Sequence, residues 1–126
     1  MGEGAASLPT ERVPIDAYGN MGFRLHGIWH AGSLLILPDG AHGWGIETIE
    51  ALGPADLASV LAFKNEIEIL LLGTGTRLTR PQPALRAAVE EAGIGLEAMD
   101  TGAACRTFNV LLAERRRVAA ALIAVP

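Results

Sequence analysis

Thr101, Cys105 and Asn109 stand four residues apart in a stretch with helical character, so their side chains fall along one face with Arg106 and Phe108 beside them. The chemistry this spacing suggests is that of a reactive thiol. A cysteine in the first turns of a helix has its pKa lowered by the helix dipole, and a neighbouring arginine adds to the effect. A nucleophile also needs a base. His26, His30 and His42 all lie in the first third of the chain, and no spacing brings one of them to Cys105. The plainer reading is that Cys105 is a small buried hydrophobe and that Asn109 bonds to neighbouring backbone, because free cysteines are among the most buried residues. The residue pattern favours this reading over catalysis.

A second group is Gly73-Thr74-Gly75, which ends the apolar run Ile67, Ile69, Leu70, Leu71 and Leu72. A dinucleotide fingerprint needs a third glycine where Leu78 stands, and an acidic residue placed for a ribose. Neither is present. A P-loop would require Gly-Lys-Ser/Thr, which is absent. What remains is a candidate anion pocket, in which the amides of Gly73, Thr74 and Gly75 and the helix start at Thr101 gather with Cys105, Arg106 and Asn109, and with Arg77 or Arg80 nearby. Glycines after a buried strand are equally explained by turn geometry alone. The histidines lack zinc-site spacing, so no metal is implied, and no cofactor is implied either.

These groups must be positioned by strands and helices, and the pattern supplies them. The run Ile67 to Leu72, interrupted only at Glu68, reads as a strand covered on both faces. Before it, Ile15 to Tyr18 and Phe23 to His26 flank a turn-rich cluster and read as an antiparallel ribbon. Ser33 to Leu37 reads as a buried strand stopped by Pro38-Asp39-Gly40, with Trp44 and Ile46 continuing the β-rich third beyond the loop. A short helix follows Gly53-Pro54 with Leu57, Val60 and Leu61 on one face. Ala84 to Ala92 reads as a helix capped by Gly93, and Gly93 to Met99 as the next strand, which makes a βαβ unit with parallel strands. Thr101 to Glu114 is the clearest helix, capped by Asp100 or Thr101. Val118 to Val125 is apolar throughout and reads as a final strand, an Ala-rich helix being the alternative.

At 126 residues, half of them hydrophobic, the chain supports one packed domain, taken as residues 15–126 behind a tail at 1–14 that is expected to be mobile. Ten basic against fourteen acidic residues give a net charge of -4, which argues against a duplex-binding surface. Nucleic acid is therefore not the expected partner. A lone cysteine and the lack of a signal-like start make the cytoplasm the expected compartment. No apolar run is long enough for a membrane span. Arg115 to Arg117 leave room for a peripheral contact with acidic lipid, although a solvated helix end explains them as well.

The block Asp-Thr-Gly-Ala-Ala-Cys-Arg-Thr-Phe-Asn from Asp100 to Asn109 resembles the Mth938-like family of small domains, which includes a mitochondrial complex I assembly factor. The resemblance extends to Tyr18-Gly19, Gly22-Phe23-Arg24, Gly32-Ser33, Trp44 and Leu72-Gly73-Thr74-Gly75. Two positions depart from it. The family usually has Tyr where this chain has Phe108, and Gly where it has Arg115, so a mechanism needing that phenol is excluded and the turn there cannot demand a glycine-only conformation. The resemblance implies an α/β, three-layer β+α/β/α fold whose mixed central sheet has its last strand, Val118 to Val125, antiparallel to its neighbours. For function it implies a non-catalytic interaction domain with protein partners, subunits of a membrane-bound respiratory complex among them. The alternative is a small-ligand or anion-binding protein, or an enzyme, using the Gly73–Gly75 loop with Cys105, Arg106 and Asn109.

Overall fold

The central sheet of the molecule is built from apolar runs that cannot face water on either side. A computed structural model describes residues 7–126. Its strands β4 (Ser33–Leu37), β5 (Gly40–Trp44), β6 (Ile69–Gly73), β7 (Gly95–Met99) and β8 (Val118–Leu122) form a five-stranded sheet in the order β5-β4-β8-β6-β7. Strands β1 (Ile15–Gly19), β2 (Gly22–Leu25) and β3 (Ile28–Ala31) form a second, three-stranded antiparallel sheet. The helices are α1 (Ala58–Ala62), α2 (Pro83–Glu91) and α3 (Thr101–Ala113).

Alternation along each central strand feeds two separate cores. Leu34, Ile36, Leu71, Ala120 and Leu122 pack with Phe23 and Leu25 of the small sheet and with Ala104, Cys105 and Phe108 of α3. Leu35, Leu37, Leu70, Leu72, Ala119 and Ala121 pack on the other face with Leu57, Val60, Leu85 and Val89. The result is a three-layer β+α/β/α arrangement, as the resemblance implied. The last strand needs one correction. β8 is antiparallel to β4 but parallel to β6, so the expectation of a strand antiparallel to its neighbours holds on one side only. The reason is connectivity: the chain leaves β7 through α3 and returns beside β6 in the same direction, which makes β6, β7 and β8 a parallel unit.

Local chemistry sets the turns. Asn20-Met21 and His26-Gly27 have positive φ at both central residues, the backbone that a two-residue hairpin loop prefers. At the end of α2, Gly93 is left-handed, with its N–H on Glu90 O and the Ile94 N–H on Val89 O. This is the expected glycine cap. α3 ends the same way with a different residue: Arg115 has φ +62°, and the Arg115 and Arg116 N–H groups reach Leu112 O and Leu111 O. The turn therefore uses the left-handed conformation that favours glycine while carrying an arginine. Arg116 in turn is paired with Glu68, whose carboxylate takes Nε at 3.0 Å and the Arg117 N–H at 3.1 Å. These bonds hold the Glu68 carboxyl below its ordinary pKa.

The segment assigned to the tail behaves differently from the expectation at residues 8–13. Val13 is buried and Leu8 packs against the same core, Pro9 O accepts the Ala41 N–H at 3.0 Å, and Arg12 reaches Val118 O at 3.1 Å. This segment lies so close to β5 that a Cβ at Gly40 would collide with the Pro9 carbonyl. The remainder of the expected tail, residues 1–6, lies outside the described residues.

Replacing Arg115 by Gly removes the left-handed penalty of about 1–2 kcal/mol but loosens the unfolded chain, so Arg115→Gly should stabilise the protein by about 0.5–1 kcal/mol. A raised urea midpoint checks this, and an unchanged or lowered one contradicts it.

Candidate functional site

The organising feature at the carboxyl end of β6 is Thr101, which is fully buried. Its hydroxyl donates to Ile123 O at 2.7 Å and accepts the Gly75 N–H at 3.0 Å, while its own N–H donates to Gly75 O at 2.9 Å. The glycine loop and the start of α3 are thus in direct contact. A Cβ at Gly73 would lie 3.0 Å from Thr101 Cα and from the Leu122 side chain, so the close approach of α3 favours a glycine there. Thr74 closes the loop on itself: its hydroxyl donates to Arg77 O at 2.7 Å and accepts the Thr79 N–H at 3.1 Å. Asp100 caps α3 through the Ala103 N–H at 2.9 Å.

Cys105, Arg106 and Asn109 sit elsewhere. A helix rises about 1.5 Å per residue, so Asn109 is about 12 Å along α3 from Thr101, and a stripe four residues apart runs down the helix without converging. Asn109 clasps β1, with Oδ1 accepting the Ile15 N–H at 2.8 Å and Nδ2 donating to Ile15 O at 2.9 Å. It bonds backbone, as the plainer reading expected. Arg106 donates to the Tyr18 hydroxyl at 3.1 Å. Together with Asp16 these residues line a cleft of about 300 Å³, separate from the glycine loop.

Burial decides the thiol. Cys105 is 2% exposed and its pKa is pushed up to about 12, chiefly by burial, with Arg106 opposing this weakly. A thiol in that state is a packing group. His30 bonds to Ser33 O and His42 to Asp39, each within its own part of the β-rich third.

Around the glycine loop the structure adds residues that the sequence did not single out. Glu47, Thr48 and Glu50, on the far side of a cleft of about 330 Å³, face Thr74 to Arg77 and Thr79. They are brought there by the short 3-10 turn Ile49–Ala51, which carries no recognisable motif. In the sequence Tyr18 reads only as the end of a ribbon strand and as part of the family resemblance. A signal for its packing was present at Gly102, since a glycine inside a helix costs about 1 kcal/mol relative to alanine and asks for a reason. The reason is Tyr18, whose hydroxyl would lie 2.5 Å from a Cβ at that position.

Fold and site together define a Mth938-like domain with a glycine-loop edge and no complete catalytic set among the described residues. The chain belongs to the family of proteins of unknown function DUF498/DUF598, whose model matches residues 15–123. It is 39% identical over 114 residues to an uncharacterised protein of Rhodobacter capsulatus, covering 90% of this chain and 86% of that one. It is 34% identical over 117 residues to human NADH dehydrogenase [ubiquinone] 1 alpha subcomplex assembly factor 3, covering 93% of this chain and 64% of that one. The chain thus spans less than two thirds of that relative. Among solved structures, an outer membrane protein from Bartonella henselae superposes with a TM-score of 0.90 at 46% identity, covering 95% and 100% of the two chains. A Mth938-like domain of Bordetella pertussis superposes at 0.77 and 26% identity, covering 94% and 92%.

Two outcomes follow from this geometry. Asn109→Ala leaves the Ile15 N–H and C=O without their partner and should cost about 1–3 kcal/mol, with Ile15 amide exchange accelerating first; exchange no faster than in the parent would contradict the clasp. Because the folded thiol pKa lies above the ordinary 9.0, its contribution to stability is complete below that value and declines as pH rises towards about 12. Urea midpoints at pH 8 and pH 10 should fall more for the parent than for Cys105→Ala.

Proposed function

We propose that this chain is a non-catalytic interaction domain, residues 15–126 acting as one unit, that assists the assembly of a membrane-bound respiratory complex from the cytoplasmic side. The observation that carries it is likeness over about nine tenths of the chain to proteins named as NADH dehydrogenase assembly factors, 34% identical in Xenopus tropicalis over 90% of this chain. The site supports a binding role: its one thiol is buried, and the hydroxyls of Thr74 and Thr101 are engaged in holding backbone. Among the described residues no helix is long and apolar enough to cross a membrane, so a working contact with membrane subunits would be made through a protein surface.

Deletion of the gene in a host that builds the complex should lower the amount of fully assembled complex on native gels, and the full chain supplied in trans should restore it. Normal assembly in the deletion strain would overturn the reading.

A further inference from the structure

Ligand crevices in α/β sheets open beyond the carboxyl ends of parallel strands, where successive connections leave in opposite directions. Here β6 and β8 are parallel neighbours whose carboxyl ends lie side by side. The cleft of about 330 Å³ sits there, with Gly75 and Ile123 in its lining. Two further clefts adjoin it. A cleft of about 220 Å³ shares Ile49, Glu50 and Thr79 with it, and one of about 390 Å³ beside Pro81 and Pro83 shares Arg80 with the second. The three clefts lie in a row from Gly75 to Arg86 and are taken together as one grooved edge.

We propose that this groove docks an extended, acidic segment of a partner protein. The proposal rests on the interaction-domain reading above and gives it a surface. Its argument is charge complementarity. In a chain of net charge -4, the groove is lined by Arg77, Arg80 and Arg86. Arg77 and Arg80 are exposed, and their side chains form no ion pair among the described residues. Arg86 is partly engaged, with Nη1 near Glu90 and on Leu96 O. Leu78, between Arg77 and Arg80 in sequence and 63% exposed, lines none of the three clefts and adds apolar surface at their margin only. Glu47 and Glu50 on the opposite wall offer acceptors to the N–H groups of an extended chain, and they disfavour a segment that is acidic at every position.

Two other occupants fit less well. A small anion would find three of the loop amides already taken, since Gly75 gives its N–H to Thr101 Oγ1, Thr79 to Thr74 Oγ1 and Thr74 to Met99 O. A flat anionic bilayer cannot enter a groove, and it would meet Glu47 and Glu50 along one wall.

The test uses the purified full chain and a fluorescein-labelled dodecapeptide of alternating Glu and Ala, with a Lys-Ala peptide and phosphatidylglycerol vesicles as controls. Binding of the acidic peptide should weaken about tenfold or more, that is by about 1.4 kcal/mol or more, in the double variant Arg77→Glu, Arg80→Glu. It should be unchanged in Arg24→Glu, which reverses an exposed charge on β2, and amide shifts on titration should cluster at 74–86 and 48–50. Thermal melts establish that the variants fold. Equal affinity in parent and double variant, shifts mapping elsewhere, or arginine-dependent binding of vesicles but not of peptide would overturn the proposal. None of these measurements depends on respiratory assembly, so normal assembly in the deletion strain would remove the assembly role and leave the groove, whereas loss of the groove would move the assembly contact to another surface.

Discussion

The Thr101 hydroxyl joins backbone segments from separate parts of the chain: it donates to Ile123 beyond β8, accepts from Gly75 beyond β6, and belongs to the first turn of α3. With no exposure to water, that group must be bonded inside the protein, and an unpaired one would cost about 1–3 kcal/mol. The site depends on this clasp. It draws the carboxyl ends of β6 and β8 to the helix start and leaves little room for a side chain at 73, while Arg77, Leu78 and Arg80 of the loop face solvent. A valine at 101 would fill the same volume and satisfy none of these bonds.

The use of donors at this edge separates it from the nucleotide-binding loops it resembles in spelling. In a phosphate-binding loop the amides and the helix N-terminus point at the ligand. Here they point at Thr101, Thr74, Met99 and Asp100. Internal bonding ties the two ends of the loop to the body and leaves the side chains of Arg77 and Arg80 exposed for recognition. A surface that works through side chains projecting from an anchored loop suits a macromolecular partner better than a small substrate that must be enclosed.

Much of this fold was legible because both faces of the central sheet are covered, and such strands announce themselves as unbroken runs: Leu34 to Leu37, Ile69 to Leu72 and Val118 to Leu122. Ala119 to Ala121 favour helix locally, and pairing with β4 and β6 on both sides overrides that preference. Less was legible where long-range contact decides. Residues 8–13 read as tail because their composition is mixed, yet one backbone bond from Ala41 to Pro9 and the burial of Val13 hold them to the body. Ile28 to Ala31 carries too little pattern to declare itself, and it becomes β3 because the His26-Gly27 turn returns the chain along β2.

The candidate site was legible in its residues and not in its grouping, and geometry explains why. Helical periodicity reports which side chains share a face; it is silent about where along that face a partner lies. Thr101 and Asn109 share a face of α3, yet one meets β6 and β8 while the other meets β1, because the helix lies across the sheet and spans more than one neighbour. Cys105 falls between them, buried in the core beneath the cleft beside β1. Only a contact that crosses elements could have divided the stripe, and Gly102 beneath Tyr18 was the local trace of such a contact. A glycine that weakens a helix without ending it marks where another element presses close, and in this chain that mark separates the arginine-lined edge from the clasp on β1.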